Sequence, residues 1–104
     1  MTGEKGFTDI NAAVAEFRNT ENAYLVDVRT SEEQAEGVIP GCIRLPLNEL
    51  AEAEAVMPDK DAKVFVYCLS GARAARAVTM LQVMGYENTV SIGGIENYTG
   101  EKER

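Results

Sequence analysis

The sequence contains no histidine and no tryptophan. Without imidazole there is no Ser-His-Asp or Cys-His catalytic device, and no zinc site of the usual histidine-bearing kind. Two cysteines are too few to close a Cys-rich structural zinc site. No metal and no organic cofactor is therefore expected. Chemistry is left to Cys, Ser, Lys, Arg, Tyr and the carboxylates. Basic residues are scarce, 10 Lys and Arg against 17 Asp and Glu, for a formal net charge of −7. A nucleic-acid partner bound through a broad basic surface is excluded, because phosphate neutralisation needs clustered cations. No apolar run approaches the length of a membrane span, so no membrane partner is expected. The opening Met1-Thr-Gly-Glu-Lys-Gly6 has no apolar stretch behind it. The expectation is a cytoplasmic protein without a secretory signal, its thiols reduced.

A chain of 104 residues buries roughly two-thirds of its unfolded surface, enough for one core. Residues 1–104 read as one domain, with 1–6 and 101–104 as flexible ends. Ile10, Ala13, Val14 and Phe17 recur at helical spacing. Ala23-Tyr-Leu-Val-Asp-Val28 reads as a buried strand, and Thr30-Ser-Glu-Glu33 has the form of a capping box opening a brief helix. Cys42-Ile-Arg-Leu45 predicts a further strand, and Asn48 is placed to cap a helix over Glu49–Val56. Val64-Phe-Val-Tyr67 is the clearest strand. The run Ala74–Met84, ending at Gly85, is rich in helix formers, and Val90-Ser-Ile92 predicts a last strand before Gly93-Gly94. Strands alternating with helices imply an α/β fold with a parallel sheet. Ligands of such sheets lie beyond the carboxyl ends of the strands. Asp27 and Arg29 follow one such end, and Cys68 another.

Cys68 precedes Leu69-Ser-Gly-Ala-Arg73 and the start of a helix. A thiol at this junction faces unpaired backbone N–H groups and the positive end of the helix dipole, which favour the reactive thiolate. Gly71 permits a left-handed backbone, so that successive N–H groups converge into an anion nest. Ser70 adds a hydroxyl and Arg73 a permanent charge. The competing reading is a buried structural thiol, the commonest fate of a cysteine ending an apolar strand.

Tyr67-Cys68-Leu-Ser-Gly-Ala-Arg73 with its Ala-Ala-Arg-Ala helix resembles the active-site loop of rhodanese-type sulfurtransferases. Leu25-Val-Asp-Val-Arg29 with Glu32-Glu33 is similar to the family's Asp-x-Arg segment, and Glu36-Gly-Val-Ile-Pro-Gly41 to its Gly-His-Ile-Pro-Gly-Ala turn. Gly85-Tyr86 and Gly93-Gly94-Ile95 resemble its later glycine segments. The resemblance implies a rhodanese-like fold, a central parallel sheet with helices on both faces, and Cys68 at the base of a shallow pocket. It implies transfer of a sulfane sulfur from thiosulfate or another persulfide donor to cyanide, a thiol or a protein through a Cys68 persulfide. The N–H groups of Leu69, Ser70, Gly71, Ala72 and Arg73 would bind the donor and stabilise the persulfide anion. Arg73 would orient the loop or the donor. Partners would be a small sulfur-containing anion, thiosulfate or polysulfide, or a protein persulfide. The alternatives are a persulfide carrier without turnover and a rhodanese-like phosphatase or arsenate reductase. The phosphatases carry one more residue between cysteine and arginine than the Cys-x4-Arg present here.

Several positions depart from the family's pattern or invite a second reading. Val38 stands where the family often has histidine, and Cys42 where it has a small alanine. Cys42 is read first as a packing residue; its sharper reading is a resolving thiol for Cys68, which requires Cα atoms within about 7 Å. Asp27 and Arg29 read as an ion pair or loop anchor ahead of substrate contacts. Arg44 is either an exposed strand-end charge or part of the pocket rim. Arg76 shares a helix face with Arg73 and is left outside the catalytic set. Tyr98, where the family often has tryptophan, is read as core. Leu69 makes the loop less basic than in thiosulfate-preferring members. Weak thiosulfate activity, inhibited by salt, is the expectation.

Overall fold

The longest uninterrupted apolar stretch of the chain becomes the centre of the sheet. In the computed structural model, which describes residues 9–104, four parallel strands lie in the order β2-β1-β3-β4. They are β1 (Ala23–Asp27), β2 (Ile43–Arg44), β3 (Lys63–Cys68) and β4 (Thr89–Gly94). Val64 to Cys68 are all buried, as a strand covered on both faces must be. Side chains alternate between the faces. Val64, Val66 and Cys68 enter one core with Val26, Val28 and Leu81. Phe65 and Tyr67 enter a second core with Ile10, Val14, Leu25 and Ile39.

Helix α1 (Ile10–Arg18) covers the second core. Asp9 caps it, its carboxylate accepting the Asn11 N–H at 2.9 Å, and Phe17 meets the Phe65 ring edge-on at 5.9 Å. Helix α2 (Ser31–Gln34) opens on the expected capping box of Thr30 and Glu33. The first core is covered from the other side by α3 (Ala53–Val56) and α4 (Ala72–Val83), through Ala53, Ala74, Ala77 and Leu81. Helices thus flank both faces of the sheet, as expected.

Three local expectations are corrected. The helix placed at Glu49–Val56 is a 3-10 segment over Leu47–Glu52 followed by α3, and Asn48 does not cap it. Pro46 holds the N-cap position, and its carbonyl accepts the Glu49 N–H at 2.7 Å, closing a turn too tight for an α-helix. The strand expected over Cys42–Leu45 is confined to Ile43–Arg44, although Leu45 and Leu47 continue to bond the Asp27 and Val28 carbonyls at 2.9 and 3.0 Å. The last strand extends through Gly93 and Gly94, and Cys68 sits opposite Gly94 after a register shift. At the chain end, Glu103 exchanges backbone hydrogen bonds with Val38, at 2.7 and 2.8 Å. The expectation for residues 1–6 lies outside the described residues.

Candidate active site

The chain runs from β1 outward to β2 and then returns to the other side of β1 for β3. The carboxyl ends of β1 and β3 therefore flank the point where the strand order reverses, the usual crevice for ligands in open α/β sheets. Asp27 closes β1 and Cys68 closes β3.

After Cys68 the chain turns through Leu69 and Ser70, both exposed. It enters α4 through Gly71, whose φ of +115° lies in the left-handed region. That turn folds the following backbone over the thiol. The Gly71 N–H donates to the Cys68 Sγ at 3.0 Å, and the Ala74 N–H donates at 3.3 Å. Two main-chain dipoles at a helix start thus point at one sulfur, the arrangement that stabilises negative charge there. Cys68 is 1% exposed, so these contacts are made away from bulk water, where they are stronger. Ala74 lay outside the expected set of loop donors. Only the turn's handedness brings its N–H back onto the sulfur, and no residue type signals that.

Arg73 points across to α2, where Nη1 and Nη2 contact Glu33 Oε1 and Oε2 at 2.8 and 2.9 Å. Glu33 Oε1 also accepts the Thr30 N–H at 2.9 Å. The hydrogen bonds from Arg73 lead in holding the Glu33 carboxyl at about 2, well below its ordinary 4.5. Glu33 was legible as a capping residue, but its partnership with Arg73, 40 positions on, was not. A groove of about 500 Å³ beside the loop is bordered by Val28, Thr30, Pro46, Leu47, Arg73 and Arg76. Cys68 does not line it. Ser70 and Ala72 are exposed on the loop, and Arg76 is exposed one helical turn beyond Arg73.

Asp27 and Arg29 form a buried anchor. Arg29 Nε lies 3.1 Å from both Asp27 oxygens, and Nη2 lies 2.8 Å from Oδ2. Nη2 also donates to the Gly37 carbonyl at 2.6 Å. Gln34 Nε2 donates to the Asp27 and Arg29 carbonyls at 3.0 and 3.1 Å, a buried partner with no signature in the sequence. Burial works against the Arg29 charge, but the Asp27 carboxylate more than offsets it and raises the pKa. These residues tie the turn at 37–39 to β1.

Cys42 and Cys68 are both free thiols on opposite faces of the sheet. Ile43 pairs with Val26, so Cys42 is level with Leu25, whose neighbour on β3 is Phe65. Two strand spacings and three residues of offset, each about 10 Å, separate the cysteines by well over the span of a disulfide. The resolving-thiol reading of Cys42 is overturned within one chain. Burial first, then the charge of Asp27, pushes its thiol pKa up despite a hydrogen bond with Tyr67. The Tyr67 hydroxyl also accepts the Ile39 N–H at 3.0 Å. Val38 is buried, Arg44 is exposed on β2, and Tyr98 packs at the margin of the second core.

The chain belongs to the rhodanese-like domain family, whose pattern matches residues 11–101. A sulfurtransferase of Allochromatium vinosum is 38% identical over 76 residues, covering 73% of this chain and 70% of that protein. The thiosulfate sulfurtransferase PspE of Escherichia coli is 36% identical over 73 residues, covering 69% of this chain and 70% of its own length. Among solved structures, a rhodanese with anions from E. coli superposes with a TM-score of 0.73 at 31% identity, over 79% of this chain and 98% of that one. A Staphylococcus saprophyticus protein has the same fold, with a TM-score of 0.81 at 24% identity and coverage of 96% and 100%.

Proposed function

We propose that this protein is a sulfurtransferase that carries a sulfane sulfur as a persulfide on Cys68. The observation that carries the proposal is the convergence of the Gly71 and Ala74 N–H groups on the Cys68 sulfur. The sulfurtransferase names of its relatives support it. With thiosulfate, the Cys68 thiolate attacks the outer sulfur and a new S–S bond forms. The bond to the sulfonate sulfur breaks, and sulfite leaves with its electron pair. The persulfide anion stays within reach of the loop donors, and a thiophilic acceptor (cyanide, a thiol or a protein) then takes the terminal sulfur. Leu69, Ser70, Gly71, Ala72 and Arg73 frame the donor, while Asp27 and Arg29 support the crevice. No general base is required, because a thiolate attacks unaided. A reduced thiol is required, as the cytoplasm maintains.

The test is the intact mass of reduced protein after brief incubation with thiosulfate or with an organic persulfide. A gain of one sulfur is expected in the wild type and in Cys42→Ala, and none in Cys68→Ala. No gain from either donor, with the Cys68 thiol shown to be free, would reject the reading. Steady-state thiocyanate production from cyanide then separates an enzyme from a carrier.

A further inference from the structure

The segment Cys68–Arg73 contains one charged side chain, that of Arg73. Both of its terminal nitrogens are taken by the two oxygens of Glu33, in the bidentate geometry that holds a guanidinium most firmly. The Glu33 carboxylate lies directly against the Arg73 guanidinium and opposes its charge where the loop enters α4. The hydrogen bonds from Arg73 lower the Glu33 pKa to about 2, so the pair is fully charged at neutral pH. The loop's other prominent side chain is Leu69, apolar and 41% exposed. The loop itself thus offers main-chain N–H groups, the Ser70 hydroxyl and hydrocarbon, with its one cation already paired, while Arg76 stands exposed a turn further along α4.

We infer that Glu33 sets the donor class of this site: by pairing Arg73 it withholds the loop's cation, so that organic persulfides of low charge are favoured over the thiosulfate dianion. The inference rests on the sulfur-transfer reading and names its substrate. The favoured step is attack of the Cys68 thiolate on the outer sulfur of R–S–SH. The Cys68 S–S bond forms, the donor's S–S bond breaks, and R–S⁻ leaves while the proton stays on the transferred sulfur. Glu33 touches no reacting atom and acts through Arg73, as a specificity-setting residue.

Glu33→Gln is a clean probe, because glutamine also serves at the third position of a capping box. The Thr30 N–H keeps an acceptor while the negative charge is removed. The readout is alkylation of Cys68, followed peptide by peptide, with anionic iodoacetate and neutral iodoacetamide at low ionic strength. Removing one charge at this range is expected to raise the iodoacetate-to-iodoacetamide rate ratio about three- to tenfold, and salt should erase the gain. Persulfide formation from thiosulfate should rise in the same proportion relative to that from the hydropersulfide of N-acetylcysteine methyl ester. Thr30→Ala, which weakens the capping box but keeps both charges, should leave the ratio where it is. An unchanged ratio in Glu33→Gln, with both rates moving together, would make Glu33 a structural brace and overturn the inference. Because alkylation needs no sulfur transfer, failure of either donor to form a persulfide would count against the sulfur-transfer reading separately.

Discussion

Gly94 lies directly against the carbonyl of Leu69. A Cβ on Gly94 would overlap that oxygen and come within 2.6 Å of the Ser70 Cα. The same carbonyl accepts the Glu96 N–H at 3.2 Å, so the end of β4 both leaves room for the loop and fixes its height above the sheet. The geometry at the Cys68 sulfur depends on this contact, since Leu69 and Ser70 set where Gly71 begins its turn.

Gly94→Ala is therefore expected to displace the loop. Overpacking of this kind costs about 1–3 kcal/mol, and persulfide formation at Cys68 should fall by at least about tenfold as the Gly71 and Ala74 N–H groups move off the sulfur. Gly93→Ala is the matched control. Gly93 has a φ of +101° but nothing within 4 Å of its added Cβ, so alanine there brings backbone strain of about 1–2 kcal/mol without pushing on the loop. Urea denaturation together with the initial rate of sulfur uptake checks both. Equal loss of activity in the two variants would show that strain, and not contact with Leu69, governs the site.

The helical stripe of Ile10, Ala13, Val14 and Phe17, the capping box at Thr30 and the unbroken apolar run into Cys68 each announced an element, because each follows from spacing or local chemistry. The rhodanese resemblance ordered those elements correctly, and the parallel sheet with helices on both faces follows it. What stayed hidden was tertiary. Asn48 has the right residue type for a cap, but Leu47 is drawn to the Val28 carbonyl and Pro46 takes the turn. Glu33 was recognisable by its distance from Thr30, whereas its pairing with Arg73 depends on how α2 and α4 approach each other. The separation of Cys42 from Cys68 likewise became visible only with strand order and register, which no local pattern encodes.

Asp27→Asn should be strongly destabilising. Asp27 is fully buried and Arg29 nearly so; removing the carboxylate leaves a buried guanidinium with only carbonyl partners. Breaking a buried pair in this way costs about 3–5 kcal/mol, a large part of a typical domain's stability. Arg29→Lys keeps the charge but loses the two-pronged contact with Asp27, and should cost less. Urea unfolding midpoints measure both. A loss below about 1 kcal/mol in Asp27→Asn would mean that the pair does not anchor the turn at 37–39.

The Glu33–Arg73 pair gives stability a defined dependence on acid. The folded-state pKa of Glu33 is about 2, against an ordinary 4.5, so the folded protein holds this proton less tightly than the unfolded chain. Stability from the pair is then fully present above the unfolded value and is lost as pH falls towards the folded one. Compared with Glu33→Gln, the wild type should show a constant excess of stability above about pH 5.5. That excess should shrink from about pH 4.5 downward and vanish near pH 2. Parallel urea titrations of the two proteins across this range measure it. Because the glutamine of the variant keeps the cap on Thr30, the pH-dependent part of the difference reports the charge pair itself. A gap of the same size at pH 3 and pH 7 would show that Arg73 does not hold Glu33 ionised, and the cation beside Cys68 would then be free to meet its donor.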